Sequence, residues 1–174
     1  MRSITHFAYG FDYRDDADLI GQFKTPEWDA DNMDSNNEKE GETGWRVGTP
    51  VSVNADGEIE MTADGETPDY YLHQDVLTEL DYQKWVNDIK LDVTIFGHAA
   101  AVMIGGRGKI IETGLLEDSI EDYDFGDDIY VANGKFSVED PTSDDDGEVI
   151  GEVVKFDKTS LGNIKDTVFI KLNQ

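Results

Sequence analysis

The sequence predicts a mainly-β protein, a compact barrel or sandwich with at most one or two short helices, on three observations. Short segments of alternating apolar and polar residues recur along the chain. Asp-Gly and Asn-Gly pairs stand between two sets of them, where hairpin turns belong. Several short strands at such spacing suit packed antiparallel sheets rather than an α/β fold.

The first 44 of the 174 residues read as an extended arm with an acidic linker, and residues 45–174 as the β domain. In the arm, Phe7, Tyr9, Phe11 and Tyr13 alternate with Ala8, Gly10 and Asp12, the period of a half-buried strand. Phe23 stands shortly before Pro26, and residues 29–42 are almost wholly Asp, Asn, Glu and Gly. A stretch of that composition buries too little apolar surface to offset its ordering entropy, so it reads as a loop or linker.

From Trp45 onward the strand signals repeat. Residues 47–53 and 58–62 flank Asp56-Gly57 as a hairpin, and Tyr70-Tyr71-Leu72 is a further strand candidate. Residues 75–88 carry Val76, Leu77, Leu80, Lys84 and Val86 at spacings loosely compatible with a short helix. Residues 91–96 form a clear strand pattern, whereas the apolar run 99–104 fits either a buried strand or a close-packed helical turn. Asn133-Gly134 joins residues 128–131 to 135–138 as a second hairpin, and residues 148–156 and 167–172 supply the last two strands.

Charge narrows the choice of partners. The formal charge is −25, from 39 acidic and 14 basic side chains. Such a surface repels phosphate, which argues against nucleic acid and anionic membrane as partners. The charge is uneven: residues 114–147 carry 12 acids and one base, giving −11, whereas residues 148–174 carry four of each. The first segment therefore reads as an exposed loop face and the second as a core or interface element. Asp outnumbers Glu by 25 to 14, which points to turns and loops.

Hydrophobic residues make up 38% of the chain, with Trp28, Trp45 and Trp85 as anchors for a modest core. The absence of cysteine excludes a disulfide framework, a thiolate zinc site and a cysteine nucleophile. The N-terminal residues show no apolar signal region, and no run approaches the roughly 18 apolar residues of a membrane span.

Each candidate for chemistry has a plainer reading. His6, His73 and His98 lack the spacing of a metalloprotease face, and structural or surface roles suit them. Gly105-Gly106-Arg107-Gly108-Lys109 misses both ends of a phosphate loop, with Met103 and Ile110 where Gly and Ser/Thr belong, and reads as a turn between strands. Asp144, Asp145 and Asp146 invite a cation, but calcium-loop register puts Val153 where a glutamate is needed. Pairs of carboxylates for glycoside hydrolysis carry no weight among so many acids. No Gly-x-Ser-x-Gly elbow is present, so no catalytic site, metal site or cofactor is predicted.

The order of elements from Trp45 to Leu172 resembles the head decoration (cement) proteins of tailed phages and related tailed viruses. The resemblance rests on residues 47–53 with their Asp-Gly hairpin, Val93-Thr94-Ile95-Phe96-Gly97, Phe125-Gly126-Asp127-Asp128-Ile129-Tyr130-Val131, Asn133-Gly134-Lys135-Phe136, Gly151-Glu152-Val153 and Val168-Phe169-Ile170-Lys171-Leu172. It implies a β-barrel or β-tulip module on the capsid exterior of the virion, often a trimer, that binds the major capsid protein and stabilises the head. It further implies that the N-terminal arm lies over the capsid protein, through Phe7, Tyr9, Phe11, Tyr13 and Phe23. A tail, collar or fibre-attachment component and an extracellular calcium-dependent binding module are the competing expectations.

Overall fold

A computed structural model describes residues 8–9, 20–29, 44–79, 81, 93–103, 105, 107–144, 146–157 and 167–173. These residues form a mainly-β body of three sheets without a closed barrel. The outcome is the sandwich side of the predicted pair. The largest sheet runs in the order β1 (Ala8–Tyr9), β10 (Ile110–Thr113), β14 (Thr167–Leu172), β13 (Gly151–Asp157), β11 (Asp128–Ala132) and β12 (Lys135–Ser137). A second consists of β2 (Ile20–Lys24), β9 (Ala99–Met103), β6 (Tyr70–Leu72), β4 (Pro50–Val53) and β5 (Ile59–Met61). The third is small: β3 (Gly44–Trp45), β7 (Asp75–Leu77) and β8 (Val93–Ile95).

Both predicted hairpins form. Val51 pairs with Met61 and Val53 with Ile59 around the Asp56-Gly57 turn. Val131 pairs with Phe136 across Asn133-Gly134, whose φ angles of 52° and 69° are those of a type I′ turn. Pro50 stands at the first position of β4, where its missing N–H does least damage to the ladder. The apolar run at 99–103 is a strand, not a helical turn.

Two apolar cores share one wall. On β6, Tyr71 faces the core of the six-stranded sheet while Leu72 faces the other; on β9, Met103 and Val102 divide in the same way. Side chains on a strand alternate between faces, so strands buried on both sides read as continuous apolar runs. The first core collects Ile111, Val168, Ile170 and Leu172 with Ile129, Val131, Phe136 and Val153. The second is aromatic: Phe96 meets Trp45 edge-on at 5.0 Å and Trp28 at 4.9 Å between ring centres. Tyr71 crosses between sheets to stack on Phe136, with ring centres 6.2 Å apart.

β14 illustrates why the neutral C-terminal segment lies at the centre. Val168, Ile170 and Leu172 alternate into the core, and β14 is paired on both sides, by β10 and β13. On the outer face Lys171 stands opposite Glu152 and bonds it at 3.1 Å, a favourable cross-strand pair. β13 accommodates one extra residue between Val153 and Lys155, a bulge that bends the strand.

Three expectations need correction. Residues 75–77 are strand, not the start of a helix: β7 lies between β3 and β8, and all three of its residues are buried. Val76 and Leu77 are adjacent apolar residues buried on both faces of β7, a pattern that fits strand and helix alike. Helical conformation begins only at Glu79, after Thr78, whose hydroxyl accepts the Asp81 N–H and donates to the Asp81 carboxylate. The rest of the predicted helix lies outside the described residues.

Second, residues 114–147 are not simply an exposed loop face. Leu115, Tyr123, Ile129, Val131 and Phe136 from this segment belong to the larger core. Its acids alternate with them, as exposed Asp128 precedes buried Ile129. Third, residues 20–29 of the predicted arm are part of the body. β2 pairs with β9 over its whole length, from Ile20 opposite Met103 to Lys24 opposite Ala99.

Candidate interaction surface

Of the arm residues, Tyr9 and Phe23 fall among the described residues. Tyr9 lies in β1, its backbone opposite Ile111 on the edge of β10. Phe23 packs on Tyr70 at 4.8 Å and against the aromatic core, so its ring is used within the chain. Phe7, Phe11 and Tyr13 lie outside the described residues.

A partner strand would need a free sheet edge, and several edges are already engaged. The outer side of β12 is taken by residues 115–117: Phe136 N–H donates to Leu115 at 3.0 Å, and its carbonyl accepts from Glu117 at 2.9 Å. β1 covers part of β10. The five-stranded sheet curls until its ends meet at a single parallel bridge between Lys24 and Glu58, reinforced by their ion pair. One bridge is too little to make a closed barrel, but it occupies the corner.

Several acids cap backbone N–H groups, whether buried like Asp75 or exposed like Asp64 and Asp69. Asp75 accepts from Val47 at 2.7 Å, Asp69 from Val53 at 2.9 Å and Asp64 from Asn133 at 2.7 Å. Asp118 accepts from Val138 N–H at 3.0 Å and the Ser137 hydroxyl at 2.8 Å. Asp140 organises a loop by accepting from the Thr142 hydroxyl and N–H and from Gly147 N–H, which holds its carboxyl below the ordinary range. Asp is short enough to hold an N–H close to its own backbone, which suits it to these positions. Burial pushes the Glu117 carboxyl up, but bonds from Lys135 at 3.0 Å and Asn133 at 2.8 Å outweigh it and leave it below its usual value.

Among the described residues one ion pair is deeply buried. Arg46 approaches the Asp75 carboxylate at 3.5 Å, with side chains only 2% and 6% exposed. The same carboxylate holds Val47 N–H, so the pair fixes the turn after β3 against β7. Nothing in the spacing of the two residues signals it.

The candidate metal ligands among the described residues do not converge. Among the described residues no group of three or more His, Asp or Glu side chains could hold an ion. Asp144 and Asp146 are exposed, and Asp146 N–H donates to the Thr142 hydroxyl at 3.0 Å; Asp145 lies outside the described residues. His98 is exposed and contributes its carbonyl to Thr25, while His73 N–H donates to Ala101. His6 lies outside the described residues. Arg107-Gly108 forms the predicted turn, joining β9 to β10 in a different sheet, and Gly108 N–H donates to Leu172 at 2.7 Å.

Among the described residues Phe125 stands apart from the other aromatic side chains. It is 74% exposed, and among the described residues the other large exposed apolar side chain is Val149 at 37%. It occupies the second position of a turn closed by Asp127 N–H to Asp124 at 3.2 Å and by Asp124 N–H to the Asp127 carboxylate at 2.7 Å. Gly126 follows with φ 91°, as a type II turn requires, and its N–H donates to Val153. Exposed Asp122, Asp124 and Asp128 surround it in sequence.

No family model, curated protein or solved structure matches the chain.

Proposed function

We propose that this chain is a decoration protein of a tailed-virus head, a non-enzymatic component that binds the outer surface of the major capsid protein and stabilises the shell. The observation that carries the reading is the set of elements on which the resemblance rests. The Asp-Gly and Asn-Gly hairpins, the Phe125-Gly126 turn and the β13–β14 pair all belong to one mainly-β body. That body is cross-braced by side-chain caps, and the chain's net charge of −25 would keep decorated particles soluble and apart. Many copies on one shell turn modest individual contacts into firm collective attachment. In this reading the protein acts as a homo-oligomer, a trimer, on the virion exterior, with neither nucleic acid nor membrane as partner and with no cofactor.

The arm contributes through residues before β2. Because Ile20–Lys24 pairs with β9, a deletion intended to test the arm stops at residue 19; it also removes the short edge strand β1, so the shortened chain is first required to keep the melting temperature of the full chain. The experiment is binding of the purified full chain, and of a chain lacking residues 1–19, to heads stripped of this protein. Saturable binding by the full chain, with raised heat resistance of the heads and weaker binding by the shortened chain, is expected. Heads that neither bind nor gain resistance would overturn the proposal.

A further inference from the structure

We infer that the turn at 124–127 is the docking knob of this protein, with Phe125 entering an apolar pocket rimmed by lysine or arginine on the shell protein. The inference rests on the decoration reading and names the contact within it.

The backbone does not demand an aromatic residue at this place. The second position of such a turn accepts most residues, and Phe125 makes no use of either core. Display of a large apolar ring to water is unfavourable in the isolated protein, so its gain comes on burial elsewhere. The display is also rigid. Two bonds close the turn, Gly126 N–H ties it to Val153, and Val153 N–H returns to the Asp127 carbonyl at 2.9 Å. A ring held on a fixed backbone has only its two side-chain torsions left to order, so little entropy is lost on docking. Aromatic anchors of this kind carry a disproportionate share of interface energy.

The charges around the ring choose the partner. Asp122, Asp124 and Asp128 are exposed and flank the ring in sequence. A second copy of the chain would meet this face with like charge. A basic rim complements it, speeds encounter and makes association salt-dependent. The Asp127 carboxylate has a different duty, since it closes the turn.

The test uses the full-length chain and stripped heads. Phe125→Ala, at an exposed site, is expected to keep its melting temperature and to bind about 30-fold more weakly, mostly through faster release. Phe125→Trp is expected to retain binding. Asp122→Asn with Asp124→Asn is expected to slow association and flatten its salt dependence. If the unaltered chain binds and Phe125→Ala binds within about twofold of it, the knob is overturned while the decoration reading stands. If the unaltered chain does not bind, the decoration reading falls and takes this inference with it.

Discussion

Replacement of Asp75 by alanine probes the least forgiving part of the body. The Arg46 guanidinium is 2% exposed and faces the Asp75 carboxylate at 3.5 Å, while that carboxylate also accepts Val47 N–H at 2.7 Å. The change leaves a buried cation without this counter-charge and a backbone N–H without its acceptor. Removing one partner of a buried pair typically costs about 3–5 kcal/mol. A domain of this size is stable by only about 5–15 kcal/mol, so the loss is a large part of the whole. Urea unfolding followed by tryptophan fluorescence reads it well, because Trp45 precedes Arg46 and packs on Phe96. The companion change Arg46→Met removes the cation, and the double variant is expected to lose clearly less than the two single losses combined. A loss below about 1 kcal/mol for Asp75→Ala, or simple additivity in the cycle, would refute the view that this pair pins β3 to β7.

Gly65→Ala is expected to lose at least about 2 kcal/mol in urea unfolding, since φ there is 75° and a Cβ would collide with the Thr142 methyl group. Tyr123→Phe is expected to lose only about 1 kcal/mol. Its hydroxyl donates to the Phe136 carbonyl at 2.7 Å, but that carbonyl keeps a second bond from Glu117 N–H, so no acceptor is stranded. Glu117 and Asp140 both have depressed pKa values, so the stability they contribute is present above their ordinary values of 4.5 and 3.8 and is lost as pH falls through their folded values. Accordingly, the melting-temperature deficit of Glu117→Gln at neutral pH is expected to shrink on acidification; a constant deficit would remove Glu117 from that account.

What the sequence disclosed was local. Asp56-Gly57 and Asn133-Gly134 are turns whose backbone requirements are met by residues adjacent in the chain, and both hairpins follow from them. β14 was legible because Val168, Ile170 and Leu172 alternate with more exposed neighbours. β2 was missed because Gly21 weakens the strand pattern and its partner, β9, lies far along the chain. β7 was hidden by burial on every position, and its parallel partner β8 gives no hairpin signal. The capping acids escaped notice for a similar reason. Asp64 and Asn133 are 69 residues apart, and Asp75 and Val47 are 28 apart. A lone Asp in a polar stretch looks the same whether it faces water or holds a distant N–H.

The proposed interaction surface was the least legible part. The alternation at Phe7, Tyr9, Phe11 and Tyr13 drew attention to the arm, whereas Phe125 passed as one residue of a strand-and-turn motif. Only the folded body distinguishes a ring 74% exposed from one such as Phe136, which is fully buried. Phe23, assigned to the arm by its position, is engaged with Tyr70.

The most direct measurement is the copy number of this chain in purified virus particles, set against the major capsid protein by quantitative mass spectrometry. A fixed ratio dictated by the symmetry of the shell, kept through repeated gradient purification, is the predicted result. Particles that contain none of it, or a trace that washes away, would contradict the account.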